Sequence, residues 1–191
     1  MKRLCISILI ILFLLSGCVT KEIIDESNRT DMYVMVYDYE NNGLQNVSVY
    51  IDDELIGKTD IHGRYLLALV RNQIYKIRLQ KNEFEMVEKE FVYDPLFVLY
   101  FQIANSVQLL KLAENAMDEG GYEEAIGYLD RSIKLDPKRI DAFYLKAIAL
   151  YKTGDSEGAL EIIDTLASQV KNTEAIFDLA EQIYASAGGR L

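Results

Sequence analysis

Few residues in this chain have the types and spacing that chemistry needs, and turns or helix ends account for most of them. His62 is the single histidine, and Asp60 lies two positions before it. An imidazole beside a carboxylate could act as a general base, but no nucleophile stands at a spacing that completes a triad. The run Thr59-Asp60-Ile61-His62-Gly63 reads instead as a tight turn, in which Asp caps its own backbone and Gly supplies a positive φ. Asp52, Asp53 and Glu54 could offer oxygens to calcium, yet in an extended chain they alternate faces and lack the regular spacing of a calcium loop. They read as a solvated hairpin tip. No His/Cys cluster has metal-ligand spacing, and no Gly-rich loop follows a strand in the phosphate-binding arrangement. Catalytic residues, metals and cofactors are therefore not expected.

Cys18 is the exception. Lys2 and Arg3 precede an apolar run from Leu4 to Leu15, followed by Ser16, Gly17 and Cys18. That run is far shorter than the ~20 residues that span a bilayer as a helix, so it reads as the apolar region of a secretory signal. Leu15-Ser16-Gly17-Cys18 resembles the bacterial lipoprotein processing site. The resemblance implies a signal peptide over 1–17, cleavage before Cys18, and acylation of its thiol. It further implies an exported protein lipid-anchored to a cell-envelope membrane, at the outer membrane or cell surface rather than the inner. Cys5 would be discarded, so disulfides and thiol catalysis are not available. The formal net charge is −10, and loss of Lys2 and Arg3 would make it more negative. Such an acidic chain argues against nucleic acid and against lying flat on anionic lipid. Residues 18–31, largely polar and without a clear period, read as a lipidated tether.

The carboxyl-terminal half repeats at a spacing of 34 residues: Gly120, Gly154 and Gly188; Leu109, Phe143 and Phe177; Ala125 and Ala159. A period of that length marks one supersecondary unit used again. The segments "AENAMDEGGYEEAIGYLDRSIKLDP" and "AFYLKAIALYKTGDSEGALEIIDTLA" resemble the tetratricopeptide repeat family of paired helices. Leu109 and Phe143 match the bulky residue that begins the first helix, and Ala113 and Ala147 the small residues where helices cross. Gly120 and Gly154 match its closing glycine, Ala125 and Ala159 the alanine of the second helix, and Pro137 the proline that follows. Gly tolerates the left-handed backbone past a helix end, and Ala lets helix axes approach. Residues 105–191 are thus expected to hold two repeats plus a capping helix with a polar outer face. Two departures are Lys146, where a core Leu is usual, and the missing proline after the second repeat.

In that family the first helices line a concave groove that holds protein partners. Carried over, the groove residues are Asp141, Tyr144, Ile148, Tyr151 and Lys152 in the second repeat, with Asp178 and Gln182 in the capping helix. In the first repeat they are Val107, Leu110, Glu114, Met117 and Asp118. Leu110 and Glu114 stand where a basic clamp for acidic tails would need cations. The three apolar residues Tyr144, Ile148 and Tyr151 could instead pack against a neighbouring helix or the preceding domain.

Between these regions, residues 32–104 alternate in short runs broken by Gly, Asn and Asp, which suggests a small all-β sandwich. Gly43-Leu44-Gln45-Asn46-Val47 and Thr59-Asp60-Ile61-His62-Gly63-Arg64-Tyr65 resemble the carboxypeptidase regulatory-like, or PEGA-like, prealbumin-type domains. Asp94-Pro95 could open a helix. The aromatic and β-branched residues from Phe97 to Phe101 favour a buried strand, with Asn105 and Ser106 as a later cap.

The fold expected is therefore multi-domain: a small all-β sandwich followed by an all-α array of tetratricopeptide hairpins. The function expected is a membrane-anchored envelope scaffold that binds protein partners, with no small-molecule substrate and no enzymatic activity. The alternative is a cell-wall glycan binder, with Tyr33, Tyr37, Tyr39, Tyr50 and Tyr65 as stacking platforms.

Overall fold

The computed structural model describes residues 28–169 and 174–186. Cys18, the apolar run before it and Gly188 lie outside that range. Among the described residues seven strands precede five helices: β1 (Arg29–Tyr37), β2 (Ser48–Ile51), β3 (Glu54–Lys58), β4 (Arg64–Val70), β5 (Ile74–Gln80), β6 (Val87–Val92), β7 (Leu99–Gln102), then α1 (Ser106–Asp118), α2 (Tyr122–Leu135), α3 (Ile140–Thr153), α4 (Ser156–Gln169) and α5 (Glu174–Ser186). The chain is a β domain followed by a helical array. No described helix is long and apolar enough to cross a membrane.

Strand alternation builds the β domain. Met32, Val34 and Val36 of β1 are buried while Tyr33 between them is half exposed, the period-2 pattern of a sheet with one face covered. One sheet has the order β4-β1-β7 and the other β3-β2-β5-β6. Val49, Ile51, Ile77 and Leu79 of the second sheet close the core against β1, Leu67 and Phe101 of the first. Each fully buried aliphatic side chain contributes about 1.5–3 kcal/mol relative to exposure. Tyr93 is fully buried just after β6, and its hydroxyl donates to the Thr30 carbonyl of β1, linking the sheets.

Two boundaries differ from expectation. β1 begins at Arg29, inside the segment read as tether, because Arg29, Thr30 and Asp31 pair with Val70, Leu69 and Ala68. Phe97 to Phe101 is not one buried strand. Asp94 closes a turn, its carbonyl accepting from the Phe97 amide at 3.1 Å, and the strand starts only at Leu99. Phe97 and Val98 are 68 % and 54 % exposed, and Phe101 alone of that run is buried. The helix starts at Ser106 with Asn105 as its cap. The Asn105 side chain accepts from the Gln108 amide at 2.9 Å, and the Gln108 side chain accepts from the Asn105 amide, a reciprocal box.

The helices form two antiparallel hairpins and a fifth helix. Gly154 closes α3 at φ +91°, a backbone conformation that side chains resist. Ala113 and Ala147 are fully buried, which lets the helices cross closely. Lys146 lays its stem across the α2–α3 seam and places its ammonium 2.7 Å from Asp130 of α2, so a cation occupies the expected Leu position without burying its charge.

The two parts meet through Glu85, in the β5–β6 loop. Its carboxylate takes a bidentate pair from Arg131 of α2 at 2.7 and 2.8 Å. It also accepts from the Ala104 amide at 3.2 Å, while the Glu85 amide donates to the Ala104 carbonyl at 3.0 Å. Glu85 thus keeps the Arg131 guanidinium charged against the cost of its partial burial. Beside it, Ser132 donates to the Ser106 carbonyl at 2.9 Å. Asp38, buried at the end of β1, accepts the amides of Glu40 and Asn42 at 2.9 and 2.8 Å. Burial pushes its carboxyl up, but these bonds and those from the Asn42 and Gln108 side chains outweigh it and hold it below the usual aspartate range.

Two outcomes are expected. Glu85→Ala and Arg131→Ala should each lower urea stability by about 1–2 kcal/mol, with the double variant costing less than the sum. A strictly additive cycle would remove the pair from this role. Because the folded Asp38 carboxyl titrates below its unfolded value, its contribution is complete above about pH 4 and is lost as pH falls through the folded value. Asp38→Asn should therefore cost stability in thermal melts at pH 7 and far less at pH 2. An equal loss at both would refute the assignment.

Candidate functional site

The groups singled out for chemistry are taken up by turns. Asp60 Oδ1 accepts from the amides of His62 and Arg64 at 2.8 and 2.9 Å, and Oδ2 faces the Arg64 guanidinium at 3.3 Å. The Arg64 amide above all, with that of His62, holds the carboxyl below the usual aspartate range. His62 is an exposed turn residue. The turn exists to let backbones touch: Gly63 has φ +74°, and a Cβ there would lie 2.2 Å from the Val36 carbonyl oxygen, while one on Gly43 would lie 2.4 Å from that of His62.

Asp52 and Asp53 have φ of +49° and +68°, as a two-residue type I′ hairpin turn requires. Asp52 accepts from the Lys76 amide at 2.8 Å, and Asp53 lies 3.5 Å from Arg78 and 3.8 Å from Lys76. A backbone amide thus answers Asp52, and two cations flank Asp53. Among the described residues no cluster of His, Cys, Asp or Glu is arranged to hold a metal ion.

The five tyrosines proposed for glycan stacking do not share a face. Tyr33 and Tyr37 lie on the outer face of the β4-β1-β7 sheet, where Tyr37 stacks on Tyr100 at 5.5 Å. Tyr50 lies on the other sheet under the Arg78 guanidinium, 4.1 Å from ring centre. The Tyr65 hydroxyl donates to the Ile56 carbonyl at 2.5 Å, and Tyr39 sits at the domain junction 3.5 Å from Arg131. Alternation and the two-sheet topology scatter them.

The helical face is better assembled. α3 touches both α1 and α5, so the first helices of successive units line one side. Tyr144, Ile148 and Tyr151 follow one another along α3 at helical spacing, each half-buried. Their inner edges pack on a cluster that includes Ile163 and Leu166 of α4 and Ile176, Leu179 and Ile183 of α5. The two readings of these residues thus combine: they brace the helices and keep part of each side chain in solvent. Lys152, Asp178 and Gln182 are exposed. Asp141 is exposed too, but its carboxylate serves the helix start, accepting from the Ala142 amide at 2.9 Å and lying 3.6 Å from Arg139. In α1, Leu110 and Met117 are half-buried against the alanine-rich first hairpin, whereas Val107, Glu114 and Asp118 are exposed. The surface is therefore a strip of aromatic and aliphatic edges rimmed by charges of both signs.

Phe177 corrects the expected polar outer face of the last helix. Leu109 and Phe143, the earlier members of its series, are 0 % and 9 % exposed, but Phe177 is 60 % exposed. Each earlier residue is followed by the second helix of its hairpin, and α5 has no such helix among the described residues. Sequence reasoning also missed the Glu85–Arg131 junction. Its two members lie 46 residues apart, and no local pattern connects them.

A family model described as tetratricopeptide repeat matches residues 116–183, from the end of α1 into α5. No curated protein matches the chain. The matched span contains α2, α3 and α4 entire, so over that span the helical array is similar to tetratricopeptide repeats, and it follows the described β domain.

Proposed function

We propose that this protein is a lipid-anchored scaffold of the bacterial cell envelope that holds a protein partner along its helical array. The observation that carries the reading is the half-buried strip Tyr144-Ile148-Tyr151 on the first helix of a tetratricopeptide unit, with Lys152, Asp178 and Gln182 at its rim. Aromatic edges set among charges are what a peptide-binding groove needs. The anchor half of the reading rests on Lys2, Arg3, the short apolar run and Leu15-Ser16-Gly17-Cys18. The β domain is read as a carboxypeptidase regulatory-like spacer, supported by the close backbone approach of Gly43 and Gly63.

Pull-downs from solubilised envelope should lose partners when Tyr144→Ala/Tyr151→Ala replaces the wild type. The exposed pair Lys152→Glu/Asp178→Lys should weaken the same partners about tenfold, or about 1.4 kcal/mol, without altering the melting temperature. Partner lists identical across all three proteins would sink the groove. Cys18→Ser should abolish the acyl mass on the amino-terminal peptide and move the protein out of the membrane fraction. Retention of that fraction by the serine variant would overturn the anchor.

A further inference from the structure

The end of the sandwich remote from the helices carries large apolar side chains that no described residue covers. Leu96, Phe97 and Val98 are 78 %, 68 % and 54 % exposed, and Ile74 and Val92 are 69 % and 60 % exposed. Ile74 and Val92 are direct cross-strand partners at the start of β5 and the end of β6. The turn that presents Leu96 and Phe97 is pinned, with the Leu96 amide donating to the Asp94 carboxylate at 3.1 Å and Arg71 lying 3.4 Å from that carboxylate. Solvent would favour polar residues on such a turn; here the chain places Pro, Leu and Phe.

These loops converge where the chain arrives from its amino-terminal segment. The Arg71 amide donates to the Asn28 carbonyl at 3.4 Å, the Asn72 amide to the Tyr93 carbonyl at 2.8 Å, and the Tyr93 hydroxyl to the Thr30 carbonyl. β1 then runs away from this pole, and at about 3.3 Å per residue its nine residues cover roughly 27 Å before Asp38 and the helical junction. The apolar pole and the helices are therefore at opposite ends of one strand.

We propose that this pole, led by Leu96 and Phe97, seats in the lipid surface and holds the helical array away from it. The inference rests on the anchor reading above. From Cys18 to Asn28 the chain is ten residues, at most about 35 Å long, and it joins the fold at this pole, so an acyl group there would attach the protein by this end, with the helical end a further strand length away. A second copy of the chain would have no such reason to meet this end. The contact is apolar: Asp94 and Arg71 neutralise each other, which suits a chain of net charge −10 that anionic lipid would otherwise repel. A second point of attachment would also turn reversible lipid tethering into stable, oriented anchoring.

The chain contains no tryptophan, so Phe97→Trp makes a unique reporter at an exposed position. The full chain bearing it is added to phosphatidylcholine vesicles with or without bromine on the acyl chains. The expected result is a blue shift and loss of most of the emission with brominated lipid, abolished when Leu96→Ser and Val98→Ser are added. Phe177→Trp, at the far end, should show neither change. Emission from Phe97→Trp that stays water-like overturns the proposal. A concentration-dependent blue shift without bromine quenching also overturns it, and assigns the pole to a second copy of the chain. The acyl mass on Cys18, measured in the same sample, judges the anchor separately, and quenching decides the pole in either case.

Discussion

The Glu85 carboxylate is the point on which the two halves of this molecule depend. It takes two hydrogen bonds from Arg131 and one from the Ala104 amide, at the place where the last strand gives way to the first helix. A charge in this position is costly unless several donors meet it, and here three do. The same loop pairs backbone with Ala104 and Asn105, so the carboxylate, the ladder and the helix cap reinforce one another. Among the described residues the array is two hairpins and a fifth helix, fewer than the three repeats that usually stand alone, and its first hairpin leans on the sandwich through α2.

Along the array the governing constraint is the size of the crossing residues. Ala113, Ala125, Ala142, Ala147 and Ala159 are all fully buried, and the helices approach closely because nothing larger separates them. That closeness leaves Tyr144, Ile148 and Tyr151 half inside, braced by α4 and α5. Lys146 shows how a cation fits this scheme, its stem in the seam and its ammonium on Asp130. At the last helix the scheme runs out, and Phe177 stands in solvent for want of a following helix among the described residues.

Local patterns made much of this legible. The 34-residue period located the hairpins because glycine ends helices and alanine permits crossings, both properties of single residues. Asp52-Asp53 and Asp60–Gly63 read correctly as turns because their demands are met within a few residues. Asn105 announced a helix start through the box it forms with Gln108. The run from Phe97 to Phe101 read correctly as strand and not helix, but the strand starts only at Leu99, because Pro95 and the Asp94 carbonyl turn the chain first. The tyrosine platform misled for another reason: β-propensity cannot say to which sheet, or to which side of it, a ring belongs.

Sequence by itself determined the order of parts, a sandwich and then paired helices, and the acidic, cysteine-poor character of the chain. These depend on period, composition and turn chemistry, which act over a few residues. Only the tertiary structure decided which surfaces remain. Glu85 met Arg131, Tyr37 met Tyr100, Phe177 was left exposed, and Leu96 and Phe97 came to lie exposed beside the start of β1. Each of these outcomes is a contact, or a missing contact, between segments distant in sequence. The packing of whole elements brings such segments together, and no local residue pattern encodes it.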